Sequence, residues 1–234
     1  RDLVRSRGLG DVYKRQGYFF YHNRLHRNYQ DDISLHYYLL ASKDGITIGK
    51  RYFKHENNKE DYPFSPSGHN LYDNNSKLYY CRDFDNIVYQ IHEDSVVPRF
   101  RINLPNPLPA SMIEERPNEM SLLRSGYSLG ITDIYEYGGL LFFRFVKDGY
   151  IWSCLYNVEE SKQVYCAKRI KFLDSSLIDT IDGIYKDCFY SILTPEYLDY
   201  AFSENPLEDY PDLFKTYDVE GDNPVIAFYR AVVR

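Results

Sequence analysis

The sequence is poor in the features that usually declare a function. Its 234 residues hold one Trp, two Met and four Cys. The cysteines, Cys81, Cys154, Cys166 and Cys188, form no C-x-x-C pair, so a structural zinc site is not expected. No apolar run approaches the roughly 18 residues of a membrane helix. The longest, from Leu140 to Val146, is broken by Arg144. The 13 glycines follow no third-position repeat and no heptad pattern is sustained, which excludes collagen-like and coiled-coil chains. Positive charge is also scarce. With 28 Lys and Arg against 34 Asp and Glu the net charge is −6, which argues against nucleic acid as the main partner. No G-x-S-x-G elbow, phosphate-binding Walker loop, kinase motif or H-E-x-x-H appears, so no enzyme class is named by its signature.

Tyrosine dominates what remains. There are 25 Tyr and 14 Phe, and aromatics make up 17% of the chain, far too much apolar surface for a disordered segment. Tyr and Phe favour half-buried pleated surfaces, and the composition leans to all-β. Short aromatic and β-branched runs alternate with Asn/Asp/Gly/Ser/Pro clusters, the pattern of hairpin-connected strands. The first group of expected strands covers 17–22, 33–41 and 46–53, with Asp44-Gly45 as a hairpin signal. The second covers 68–72, 77–82, 87–92 and 97–104, and the third 127–137, 140–147, 150–156 and 164–172. A fourth begins at 178–181 and 188–193. It is interrupted by Thr194-Pro195-Glu196, a helix cap followed by Pro at the first helical position. Helical segments are expected at 110–115, 195–202 and 210–216, and a closing strand at 224–233. Four short strands joined by tight turns in about 40 residues have the size of one propeller blade.

Residues 1–16 differ from the rest. They carry Arg1, Arg5, Arg7, Lys14 and Arg15 against Asp2 and Asp11, and without them the chain has 23 basic and 32 acidic residues, a net charge of −9. The run from Asp11 to Gln16 is the translation of GAT GTG TAT AAG AGA CAG, bases that resemble the mosaic-end adapter of transposase-based sequencing libraries. Residues 1–16 are therefore expected to be non-native, with native sequence from Gly17 onward and a protein truncated at its N-terminus.

The stretch from Lys77 to Ile91, followed by Glu93-Asp94-Ser95 and Val97-Pro98-Arg99-Phe100, resembles the bacterial six-bladed β-propeller family, as does the closing run from Asp222 to Tyr229. The resemblance covers nearly all of 17–234. It implies a partial β-propeller, about four blades of an expected six, with a short helical insertion near the C-terminus. The first blade is expected to lack its innermost strand. The family's members are mostly secreted or lipid-anchored envelope proteins. This implies a periplasmic or cell-surface location, lipid-anchored in the full-length protein, and a non-catalytic binding or scaffold role. The ligand would be a glycan, a peptide or an envelope protein, with no cofactor. The alternative is a propeller hydrolase or lactonase with a metal-assisted site in the central funnel.

Within that frame three residues are binding candidates. Arg82, at the end of an inner strand, either points into the funnel or pairs with its neighbour Asp83, and the pairing is the favoured reading. Asp83-Phe84-Asp85-Asn86 places three oxygen side chains in one turn, which suits Asx-turn formation better than calcium. Arg144 shares a face with Phe142 and Val146 by alternation. It either reaches the channel or packs its stem while its head reaches solvent, the second being favoured. Cys154 and Cys166 fall opposite each other if the intervening loop centres near Glu160. They are either two buried thiols, which their apolar strands favour, or a disulfide. No metal site is expected from the six histidines, all of which lie within the first 92 residues.

Overall fold

The computed structural model describes residues 9–15, 18–23, 37–54, 66, 69–74, 76–93, 95–115, 117–168, 170–172, 175–178, 181–204, 217–218, 221 and 223–230. Strands dominate it. The first sheet is the antiparallel meander β1 (Leu9–Arg15), β2 (Tyr18–Asn23), β3 (Tyr37–Ser42) and β4 (Ile48–Lys54). The second runs β5 (Leu71–Asn74), β6 (Lys77–Cys81), β7 (Ile87–Ile91) and β8 (Val96–Arg101). Two short helices follow, α1 (Ala110–Glu114) and α2 (Glu119–Leu123). The third sheet is then β9 (Ser128–Tyr137), β10 (Leu140–Lys147), β11 (Tyr150–Asn157) and β12 (Lys162–Ala167). The hairpin β13 (Ile170–Phe172) and β14 (Ser175–Ile178) precedes a three-stranded sheet. Its strands are β15 (Gly183–Tyr185), β16 (Cys188–Leu193) and β17 (Val225–Tyr229), with α3 (Pro195–Glu204) between the last two. The chain forms two units, Arg1–Ile134 with Phe145–Tyr150, and Tyr135–Arg144 with Ile151–Arg234.

Most strands follow from the sequence pattern, with four corrections. The strand expected over 178–181 is not formed as such: β14 ends at Ile178 and β15 begins at Gly183. Leu9–Arg15 pairs with β2 and takes the place where the first blade was expected to lack a strand. That pairing is made by backbone N–H and C=O groups, which any sequence carries, so it does not bear on where residues 1–16 come from. The strand expected over 164–172 is two strands. Lys162–Ala167 pairs with β11, whereas Ile170–Phe172 turns away to pair with β14. The β3–β4 turn runs further than Asp44-Gly45 alone. Asp44 Oδ1 accepts from Ser42 Oγ (2.8 Å), Ile46 N (2.8 Å) and Thr47 N (2.7 Å), so residues 43–47 form a closed Asx-type loop before β4 begins. The helix expected at 210–216 lies outside the described residues.

In the first unit the first two sheets bury one another. Phe20, Leu39 and Ala41 pack with Leu71, Leu78, Tyr80, Tyr89 and Ile91, and Tyr18, Tyr38, Tyr52 and Phe53 close the margin. A smaller cluster joins Leu122 of α2 to Leu129 and Val146, with Phe84, Leu108 and Tyr127 against it. In the second unit, α3 lays Leu198 and Ala201 on Leu193, Val225 and Ala227 of the last sheet.

Candidate functional site

The β6–β7 turn carries the chemistry that the sequence singled out. Arg82 donates from Nε (2.9 Å) and Nη2 (2.6 Å) to Asp85 Oδ2. The favoured pairing of Arg82 with Asp83 is thus corrected to Asp85. Adjacent side chains diverge, and Phe84, at φ 61°, takes the left-handed conformation that brings the i+3 carboxylate back over the arginine. The other oxygen of Asp85 closes the turn, accepting from Asn86 N (2.8 Å) and Ile87 N (3.1 Å). Asp83 Oδ1 accepts from Asn70 Nδ2 (3.1 Å), which also donates to Cys81 O (2.9 Å). The turn oxygens therefore serve the turn itself.

The turn is held rigidly from below. Ile131 N donates to Asp85 O (3.2 Å) and Ile102 N to Asn86 O (2.9 Å). Gly130, at φ 101°, lies under Phe84. A Cβ there would stand 2.7 Å from Phe84 Cα, so the approach requires glycine.

Two aromatic rings pack together beside the guanidinium. Arg82 Cζ lies 5.2 Å from the Phe53 ring centroid and 6.0 Å from that of Tyr89, within cation–π range. Phe53 is at 4.5 Å from Tyr89 and stacks on Tyr80 at 5.6 Å. Beneath them Tyr80 Oη lies 3.1 Å from Nδ1 of the buried His22. Burial opposes the charge on Arg82, but Asp85 outweighs it and raises the pKa, so the guanidinium stays ionised. Asp85 engages two of its five N–H donors. The side chain is 32% exposed, so a planar cation held by Asp85 is open to solvent beside the Phe53 and Tyr89 rings.

Neighbouring groups are not chemically poised. Burial pushes the Tyr80 hydroxyl well up and does the same, helped by Asp85 and Asp83, to the Cys81 thiol. A thiol so raised stays in its neutral form. Among the described residues no three His, Cys, Asp or Glu side chains gather as metal ligands would. Sequence reasoning did not find Phe53 or Tyr89. They come from β4 and β7, and nothing in the letters around Arg82 points to either.

Arg144 belongs to the second unit and is half-buried on β10. Its neighbours Phe142, Phe143, Phe145 and Val146 are all buried, so β10 is covered on both faces and alternation does not separate an apolar from a polar side. In the same unit Cys154 and Cys166 face each other in register across β11 and β12, with Cα atoms 4.1 Å apart, and form a disulfide. The reading as two thiols is corrected. The loop geometry set the two residues opposite each other, and apolar surroundings do not prevent the bond.

A family described as a 6-bladed β-propeller matches residues 11–176. The solved structure of a "Putative exported protein" from Bacteroides fragilis NCTC 9343 is similar at a TM-score of 0.65 and 14% identity, covering 94% of this chain and 76% of that one. Among curated protein sequences there is no match. No described helix is long and apolar enough to cross a membrane.

Proposed function

The chain belongs to the six-bladed β-propeller family, and on that premise we propose that it is a non-catalytic binding protein of the bacterial cell envelope. The observation that carries the reading is the Arg82 guanidinium, fixed by Asp85 and packed beside Phe53 and Tyr89, with three N–H donors that Asp85 does not take. Such an arrangement suits a carboxylate- or carbonyl-bearing ligand pressed against aromatic faces, whether on a glycan, a peptide or a partner protein. Asp83, which holds Asn70 beside it, is a positioning residue of this site. Arg144 is proposed as a second binding residue, in its own unit. The Cys154–Cys166 disulfide supports an oxidising compartment, in agreement with the description of the Bacteroides fragilis neighbour as an exported protein. Lipid anchoring in the full-length protein, and an adapter origin for residues 1–16, belong to the same proposal.

The test is a glycan and peptide array probed with the 234-residue chain and its Arg82→Ala and Arg82→Lys variants, each probed well below its own melting temperature so that it is folded. The expected result is a bound class whose affinity falls about tenfold or more in both variants, a change of about 1.4 kcal/mol. Lys keeps the charge and loses the planar fork, so it should not rescue. The competing reading is a hydrolase or lactonase. Metal-dependent turnover of a model ester or lactone by the purified chain would replace the binding reading with it.

A further inference from the structure

A second arginine shares a row of the sheet with Arg82. In the antiparallel register Cys81 faces Val88, so Arg82, one step further on, falls opposite Ile87, and Ile87 faces Arg101 of β8. Residues opposite one another point to the same side of a sheet. That side carries Tyr80 and Tyr89, which pack toward the first sheet together with Phe53 and Ile87. The other side carries Tyr79 and Phe100, whose rings meet at 6.0 Å. Arg82 and Arg101 therefore stand on one side, two strands apart, with about 10 Å between their backbones. Strand β7, with Tyr89, runs between them. The end of β8 is tied to the β6–β7 turn, where Ile102 N donates to Asn86 O (2.9 Å), so the row is held in place.

The two arginines differ in what holds them. Arg82 is bound by Asp85, whereas Arg101 is exposed, and among the described residues no carboxylate pairs with it. Burial raises the pKa of the Tyr89 hydroxyl, and Asp85 adds to this, while the Arg82 and Arg101 guanidiniums both oppose it. The balance is a raised value, so the phenol keeps an O–H to donate. A ligand at this rim thus meets donors from three strands: the Arg82 N–H groups that Asp85 does not take, the Tyr89 hydroxyl and the guanidinium of Arg101. A carboxylate only accepts, and its hydrogen bonds to a guanidinium are about twice as strong as neutral ones. An ester offers a carbonyl without the charge, and an amide brings N–H groups to a place already filled with donors. We propose that Arg101 is a second binding residue of the Arg82 site and its specificity arm, selecting a free carboxylate over the corresponding ester or amide. The assignment rests on the binding reading above and narrows the ligand's group from any carbonyl to a carboxylate. An acidic sugar and a peptide acid present that group alike.

The experiment uses matched probes. One arm is an oligogalacturonide and its methyl-esterified form; the other is a set of short peptides made as C-terminal acids and as C-terminal amides. Each is titrated against the 234-residue chain and its Arg82→Ala, Arg101→Ala and Arg101→Gln variants, all held well below their melting temperatures. The wild type is expected to bind the acid of at least one arm about tenfold or more tightly than its neutral form, and the arm that binds tells the acidic sugar from the peptide acid. Both Arg101 variants should lose that preference, binding the acid about tenfold more weakly and the neutral form as before. Arg82→Ala should weaken acid and neutral form together. The wild-type preference should also shrink as salt is raised, since Arg101 is exposed and screened. If Arg82→Ala weakens binding but the Arg101 variants keep the full preference for the acid, the inference falls and the binding reading stands. A wild type that binds acid and neutral form equally overturns it in the same way. If no acid of either arm binds, or if no variant changes any affinity, the inference falls together with the Arg82 site itself.

Discussion

The β5–β8 sheet and the β15–β17 sheet are built from similar letters and used differently. In β6, Leu78, Tyr79, Tyr80 and Cys81 follow one another and each is at most 1% exposed, so both faces of the strand are covered. In β16, Phe189, Ser191 and Leu193 are buried while Ile192 between them is 47% exposed. An aromatic, β-branched strand thus reports that it pleats, but not how many neighbours its sheet has. Side-chain deletion measures the difference. Leu78→Ala is expected to destabilise the chain by about 2–5 kcal/mol through lost burial and a residual cavity. Ile192→Ala is expected to stay within about 0.5 kcal/mol, as for an exposed site. Urea unfolding of both variants checks this, and equal losses would mean that the last sheet's outward face is covered in the 234-residue chain.

The edge strand β12 shows how a poorly buried element is kept. Lys162, Gln163 and Val164 are exposed, yet Cys166 is tied to Cys154 twelve residues away. Closing a loop of that length restricts the unfolded chain, and its loss is expected to cost about 3 kcal/mol. The paired variant Cys154→Ser with Cys166→Ser, or reductant, should lower the unfolding midpoint by the corresponding amount. A reduced protein of unchanged midpoint would show that strand pairing alone holds the edge.

Two ion pairs sharpen the same contrast. Arg82–Asp85 and Arg230–Asp187 both span 2.6 Å, but the first lies in the covered sheet's turn and the second on the exposed sheet. Asp85→Ala strands a half-buried guanidinium and opens the turn closed by Asn86 N and Ile87 N. A loss of about 1–3 kcal/mol is expected. Asp187→Ala is expected to leave the unfolding midpoint unchanged, because solvent screens exposed pairs. Asp85→Asn should fall between Asp85→Ala and the wild type, since its carbonyl oxygen can still accept from the turn amides.

What was legible follows from the range of the signal. Strands at 140–147 and 188–193 read correctly from their letters, because runs of aromatic and aliphatic residues and the flanking Asp-Gly or Thr-Pro turns are local. The break between β12 and β13 did not, since it depends on which strand each half finds as partner. Arg82 stood out as a charge at a strand end, but its partner depends on the backbone of Phe84, and its aromatic frame comes from Phe53, in another sheet. The Cys154–Cys166 opposition was readable from loop length, whereas bond formation was not, because apolar flanks suit a thiol and a disulfide alike.

The mildest probe is pH, acting on the exposed β3–β4 turn. Asp44 accepts from Thr47 N, Ile46 N and Ser42 Oγ, and these bonds hold its carboxyl well below the usual range. A carboxylate whose pKa is lower folded than unfolded contributes stability that is fully present above the unfolded value, about 3.9. The contribution shrinks as the pH falls below that value toward the folded one, because the unfolded chain takes up the proton first. Between pH 5 and pH 8 Asp44 should therefore add no pH dependence, and below about pH 4 the wild type should lose stability with each step. Asp44→Asn has no proton to gain at this position, and its amide oxygen still accepts from the turn. It should start less stable at neutral pH and lose less below pH 4, so that the two midpoint curves converge in acid. Parallel curves would mean that the turn amides bind the carboxylate no better than water does, and that the loop of residues 43–47 is held by Ser42 Oγ with Gly45 N and by Tyr21 Oη with Gly45 O instead.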